Sequence, residues 1–390
     1  MLQTTVRTVA LFVGLCLLTG SSADLIFLKE GLDHILNQLA SALEKLAKFA
    51  LEYKGLPCLG FTHLQAASLT TVGKRACLWI QDLLMDLRNL ERAKTDLRFR
   101  GIKGATGSQG SFLKLFNGDH SKVEALDELV TRKAGFDSAF IITSQTYSRK
   151  IDVDVCHALG SFGATCERIG GDIRHLAALK EVEEPFETGQ IGSSAMPFKR
   201  NPMRTERLSG LGRKLQLLPN DAVATYSHQL FERTLDDSAI RRISIPESFL
   251  CADACVTILN NVLAGLVVYP AVIQRHIQDE LPFIGTENIL MRLSEHGVDR
   301  QEAHEQIRQL SHEAAAGVKL EGRDNDLIER IRKKDFFSPI WSELDGLLDP
   351  QTYIGRAPQQ VDKFCASEVQ DALKKYVDVS GGNVAVDLSV

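Results

Sequence analysis

Apolar residues recur at steps of three or four from Leu25 through Leu28, Leu32, Ile35, Leu39, Leu43 and Leu46 to Ala50. An α-helix completes a turn in about 3.6 residues, so this spacing lines one face of a helix and predicts a bundle seam of about seven turns. Gly55 and Pro57 should end it. A second long helix is expected over about 71–97, with Leu78, Leu83, Leu87 and Leu90 on its apolar side and Asp82, Asp86, Arg88 and Arg92 polar. A third reads over 151–179 through Val155, Leu159, Phe162, Ile169, Ile173 and Leu176. A fourth carries Leu208, Leu211, Leu215 and Leu218 as far as Pro219. The fifth, over 248–268, is apolar almost all round, which predicts a central position.

Beyond Tyr269-Pro270 the pattern shifts to shorter, more charged helices broken by Gly297, Gly322 and Pro339. A domain boundary is therefore expected near Val268, dividing the chain into an apolar segment 1–23, a central bundle 24–268 and a C-terminal helical domain 269–390. Gly101, Gly104, Gly107 and Gly110 mark a loop too rich in glycine to be helical. No strand-like alternation of any length and no repeat is legible. The tail from Ser380 onward is expected to fray. The fold class is all-α: a long-helix bundle with a smaller C-terminal helical domain, whose apolar seams 25–50 and 248–268 should also bring copies together.

Composition narrows the function classes. With 390 residues, 44% of them hydrophobic, the chain can bury a large core. A net charge of −5 gives no basic footprint for nucleic acid. The 8 cysteines are scattered without a C-x-x-C pair, so neither a zinc site nor a disulfide framework is expected. Arg7, the apolar run from Val9 to Leu18 and Ser21-Ser22-Ala23 have the layout of a secretory signal peptide, with a run too short to span a bilayer. The alternative is the apolar start of a cytoplasmic enzyme, which the unpaired cysteines favour.

Chemistry concentrates in Gly192-Ser193-Ser194-Ala195-Met196-Pro197-Phe198-Lys199-Arg200-Asn201-Pro202. Small residues open a flexible segment, and a hydroxyl, an ammonium and an amide follow without hydrophobic periodicity. Such a loop can hold a carboxylate and move a proton, although a bare Gly-Ser-Ser is more often a polar surface loop. The whole run resembles the signature Gly-Ser-x-x-Met-x-x-Lys-x-Asn of the fumarase/aspartase superfamily. A second segment, Leu59-Gly60-Phe61-Thr62-His63-Leu64-Gln65 leading into Leu69-Thr70-Thr71-Val72-Gly73-Lys74-Arg75, sets a histidine in a polar turn before a long helix. It resembles the histidine segment of the adenylosuccinate lyase family, as do 141–150 and 231–238.

The resemblance implies anti β-elimination of fumarate from adenylosuccinate, giving AMP, or from SAICAR, giving AICAR. It implies Ser193 as the base and His63 as the acid on the departing nitrogen. Thr62 then sits beside the acid, Gln145 contacts substrate, and Lys199 and Asn201 hold the succinyl carboxylates. Arg207 binds substrate, and Arg233, Ser238 and Arg242 take the phosphate. No cofactor, metal, nucleic acid or membrane is implied. The expected partner is a second copy, in a homotetramer with shared sites.

The family pattern also departs from this sequence. It places a helical domain with a further histidine and a Thr-Ser pair ahead of the matched region, where this chain has Leu15-Cys16 within its apolar run. Ala66 stands for a usual proline, and Phe198 for a tyrosine. The competing reading is a non-catalytic isoform that assembles with a full-length lyase.

Overall fold

The computed structural model describes residues 22–186, 196 and 198–376. The apolar start through Ser21, the signature serine Ser193 and the tail from Ser380 lie outside the described residues. The chain runs α1 (Ser22–Glu52), β1 (Pro57–Thr62), β2 (Gln65–Thr71), α2 (Val72–Thr95), α3 (Gly110–Leu115), α4 (His120–Lys133), α5 (Lys150–Ala178) and β3 (Val182–Glu183). It continues through α6 (Met203–Leu217), α7 (Pro219–Ser227), α8 (Asp237–Leu263), β4 (Val267–Val268) and α9 (Pro270–Ile284). Then come α10 (Thr286–Glu295), α11 (Arg300–Glu321), α12 (Leu327–Arg332), α13 (Leu344–Leu347), α14 (Ala357–Phe364) and α15 (Gln370–Leu373).

Side-chain pairs fix the helix directions. Asp24 meets Arg241, His34 meets Asp253 and Lys45 meets Asn260, so α1 and α8 climb together. Asp152 and Cys156 meet Arg241 and Ser248, so α5 climbs with them. Two helices run the other way. On α2, Trp79 donates to Asp172 and Asp86 accepts from Ser161 of α5. On α6, Arg204 donates to Asn261 and Lys214 pairs with Glu247 of α8. Where α5 and α6 approach, Gly163 and Gly212 face each other. An added Cβ at Gly163 would lie 2.8 Å from the Gly212 carbonyl oxygen, and the converse distance is 2.5 Å. Backbone cannot yield to that, so both positions require glycine.

The predicted seam of α1 is buried from Leu25 to Ala50, but inside the chain, against α2 and α8. It is therefore not the surface that joins copies. Exposed apolar residues elsewhere include Leu78 and Met85 on α2 and Ile243 and Leu250 on α8. Leu78, expected in the core, is 49% exposed. A second buried cluster, from Ile289 through Leu293, Ile307, Leu327 and Phe337 to Leu344, is separate from the bundle core. The chain then returns to the main core with Val361, Cys365 and Val369.

Three expectations need correction. β1 and β2 form an antiparallel hairpin that the sequence pattern concealed, because a register shift between Leu59 and Phe61 interrupts the alternation. The fifth helix begins at Asp237, not 248, and contains Pro246. Proline gives up a helical hydrogen bond, yet tertiary ion pairs at Asp237 and Arg241 hold the preceding turns. It ends at Leu263 because Val267–Val268 leave to pair with Val182–Glu183. Past Pro219 the fourth helix resumes as α7, with that proline in its first turn, where the missing N–H costs nothing.

A buried polar cluster ties the starts of the three parallel helices. The Tyr147 hydroxyl donates to Asp152 at 2.7 Å and accepts from Arg241 at 2.6 Å. Arg241 also reaches Asp152 at 2.7 Å and Asp24 at 3.0 Å. Arg149 lies 4.7 Å over the Tyr147 ring and pairs with buried Asp237 at 2.7 Å. Burial pushes the Tyr147 phenol well above its ordinary range, so it stays a neutral donor.

Arg241→Met removes the cation from two largely buried carboxylates, and breaking such a pair costs about 3–5 kcal/mol. Urea unfolding should show a loss of that order; a loss under about 1 kcal/mol would refute the anchoring role. Asp86 is buried on α2, where its Oδ1 accepts from Ser161 at 2.9 Å while Oδ2 has no hydrogen bond. Burial pushes its carboxyl up to about 6, against the pull of neighbouring hydroxyls. The folded chain thus holds a proton that the unfolded chain releases near its ordinary value of about 4. This contribution is fully present below about 4 and is lost as pH rises through about 6. Asp86→Asn should flatten the decline in stability over that window; an unchanged slope would contradict the assignment.

Candidate active site

His63 and Leu64 are the two residues of the hairpin turn, between the last ladder pair Thr62 and Gln65. Both lie in the left-handed region, at φ 54° and 57°, as a primed two-residue turn requires at its centre. Asn and Gly usually fill such turns, and a side chain there costs roughly 1–2 kcal/mol per residue. Thr62, His63 and Gln65 are exposed at this strained tip. Cys58, Leu59 and Leu69 bury the base. Between base and tip the register shifts by one residue, opposite Gly60. A Cβ on Gly60 would stand 2.6 Å from the Ser68 carbonyl oxygen.

Three glutamates that follow α5 fix the surroundings of the signature loop. Glu184 accepts from the backbone N–H groups of Arg204 and Thr205, each at 2.9 Å, and from the Thr205 hydroxyl at 3.1 Å. A carboxylate there satisfies free donors at the start of α6 and suits its dipole. Glu183 accepts from the Tyr269 hydroxyl at 2.7 Å and faces Arg200 at 3.5 Å. Glu181 takes His276 at 2.8 Å. Lys199 is exposed, with its backbone N–H on the Met196 carbonyl. Asn201 accepts from Met203 N–H through its carbonyl, and Arg207 is exposed on α6. None of these glutamates stood out in the sequence as more than a charged run; their position between a long helix and the signature loop was the available signal.

The remaining residues gather at the start of α8. The Gln145 N–H donates to the Glu232 carbonyl at 3.3 Å. Arg233 pairs with Asp237 at 3.0 Å, sharing that carboxylate with Arg149. Arg242 donates to both the hydroxyl and the carbonyl of Ser238. Two guanidinium groups and a hydroxyl on one helix start make a fitting anion cradle.

These groups do not meet within one chain. Arg204, beside Asn201, contacts Asn261 near the end of α8, whereas Ser238 lies at its beginning. At about 1.5 Å per residue, the helix separates them by roughly 35 Å. The hairpin lies at the Asn201 end, linked through Arg75 and Glu181 to the segment that precedes the loop. Among the described residues no cluster of His, Cys, Asp and Glu could hold a metal ion.

Residues 23–217 match the family described as lyase, and residues 282–364 match the one described as adenylosuccinate lyase C-terminus. The adenylosuccinate lyase of Saccharomyces cerevisiae is 60% identical, over 93% of this chain and 75% of its own length. The chain belongs to the adenylosuccinate lyase family. The adenylosuccinate lyases of Schizosaccharomyces pombe and Schistosoma mansoni are 56% and 52% identical, each over 75% of its own length and over 93% and 92% of this chain. Among solved structures, the 3-carboxy-cis,cis-muconate lactonizing enzyme of Pseudomonas putida superposes with a TM-score of 0.76 at 24% identity, over 90% of this chain and 75% of that one. A fumarate lyase from Mesorhizobium sp. BNC1 superposes at 0.72 and 21% identity, over 89% of this chain and 75% of that one. At such identities the likeness is one of fold alone.

Gly60→Ala tests how the hairpin is built. The new methyl would press on the Ser68 backbone at 2.6 Å, so the ladder must open locally. Hydrogen exchange should quicken at hairpin amides while α5 and α8 keep their protection. Unchanged exchange in the hairpin would show that the shifted register tolerates a side chain.

Proposed function

We propose that the protein acts as an adenylosuccinate lyase, eliminating fumarate from adenylosuccinate to leave AMP and from SAICAR to leave AICAR. The observation that carries this reading is the 60% identity to the yeast enzyme over 93% of the chain, a span that must include every candidate residue from Thr62 to Arg242. Elimination requires loss of a proton beside a carboxylate, which leaves a dianionic aci-carboxylate. Lys199 and Asn201 lower its energy by holding the succinyl carboxylates. Ser193 takes the proton, and the electron pair forms the fumarate double bond as the C–N bond breaks. His63 delivers a proton to the departing nitrogen. Thr62 stands beside that acid, Gln145 and Arg207 contact the substrate, and Arg233, Ser238 and Arg242 hold the phosphate.

We further propose a homotetramer with composite sites. The Lys199–Asn201 end and the Arg233–Arg242 end lie roughly 35 Å apart along α8, more than a succinylated nucleotide can bridge, so different copies must supply them. Exposed apolar residues beside the second group support this: Ile141 is 90%, Ile142 88% and Phe231 99% exposed, which suits cover by another subunit. A cytoplasmic location accords with the described cysteines, all of them free thiols.

His63→Ala and Ser193→Ala should each lower kcat by about 10²-fold or more with KM little changed, because each acts on a proton in flight. Arg233→Ala should chiefly raise KM. Equal, modest effects from all three would overturn the roles. Co-refolding His63→Ala with an Arg233→Ala/Arg242→Ala chain should restore activity in hybrid oligomers, since some sites would take an intact end from each. Verified hybrids without recovery would exclude composite sites.

A further inference from the structure

We propose that Arg75 is a positioning residue for the elimination, aiming the hairpin that carries His63; this rests on the reading of His63 as the general acid. Arg75 lies in the first turn of α2, just after the Thr71 cap, which accepts from Lys74 N–H at 3.1 Å. Its side chain is 15% exposed and grips the hairpin twice. One arm of the guanidinium donates to the Leu59 carbonyl. The guanidinium carbon also stands 5.9 Å from the centre of the Phe61 ring. Those two residues flank Gly60, where the ladder shifts register.

The other arm of Arg75 faces the Glu181 carboxylate at 4.0 Å. Glu181 is buried, with Oε1 on His276 at 2.8 Å and its backbone carbonyl on Tyr269 N–H at 2.9 Å. Its Oε2 has no hydrogen bond, so the Arg75 charge is what compensates it on that side. Arg75 is thus held from the bundle and holds the strand in turn.

Lever geometry gives the effect its size. Beyond Gly60 the ladder pairs are Phe61 with Ala66 and Thr62 with Gln65, both near exposed surface. His63 lies four residues beyond Leu59, a lever of about 13 Å at 3.3 Å per residue. A tilt of about 10° at the register shift therefore moves the tip by about 2 Å, and misplacement of about 1 Å can cost 10²-fold in rate. A bulge that re-aims a functional side chain needs something to fix its angle, and Arg75 touches both sides of it.

Arg75→Lys keeps a charge opposite Glu181 but loses the planar fork that reaches Leu59 and covers Phe61. It should lower kcat by about 10-fold or more, with KM within about 2-fold and the melting temperature and oligomeric state unchanged. In a His63→Ala background the same substitution should cause no further loss, because Arg75 acts through that residue. Phe61→Leu provides a second variant, expected to change kcat in the same direction should Arg75→Lys fail to fold. If His63→Ala abolishes turnover while Arg75→Lys and Phe61→Leu leave kcat intact, the acid stands and the positioning role falls. Equal losses with and without His63 would also overturn it, by showing that Arg75 acts elsewhere. Full turnover in His63→Ala would sink the acid assignment and this inference together.

Discussion

Three parallel helices begin at one buried cluster of charge, and the rest of the bundle takes its register from it. Arg241 on α8 binds Asp152 of α5 and Asp24 of α1 through separate contacts, with Tyr147 bridging the first pair. Apolar seams alone would let long helices slide by a turn at little cost, since one leucine layer resembles the next. Buried ions with specific partners do not slide, because a shifted register would strand them without compensation. The cluster also allows α8 to begin eleven residues ahead of its apolar stretch, through a proline that local rules would treat as a break.

That upstream extension of α8 has a chemical consequence. Asp237 binds Arg149 on its buried side and Arg233 toward the surface, so the cation assigned to phosphate is mounted directly on the structural cluster. Arg242 follows Arg241 in the chain, one guanidinium turned inward and the next outward. Stability and the proposed phosphate recognition share a helix turn, which places the candidate anion cradle on a rigid base.

The opposite end is organised by the glutamates that follow α5. Glu184 closes the start of α6, Glu183 secures Arg200 through Tyr269, and Glu181 anchors Arg75. Each carboxylate ties a different segment to the same short stretch of chain. The hairpin and both flanks of the signature loop are thereby referred to a common frame. The antiparallel run of α6 against α8 then carries these groups away from the candidate phosphate cradle, which is the reason the proposed sites draw on more than one copy.

The sequence by itself determined the helices whose apolar period is regular, the all-α class, and the motifs that carry the candidate acid, base and cations. Those features are local: periodicity and motif spacing act within a few turns of chain. The hairpin under His63 stayed hidden because a register shift scrambles the two-residue alternation, and its left-handed turn uses His and Leu where Asn and Gly would have announced it. Leu78 lies exposed and the Leu25–Ala50 seam, buried as expected, is covered within its own chain, because a helical face does not say whether its cover comes from the same chain or another. Tertiary structure alone decided that Asp152, Asp237 and Glu181 are partners for arginines far away in sequence, and that the two sets of candidate substrate-binding residues stand at opposite ends of one helix. The physical reason is that a buried charge takes its partner from whatever the packed helices bring beside it, and no local pattern in the chain encodes that neighbour.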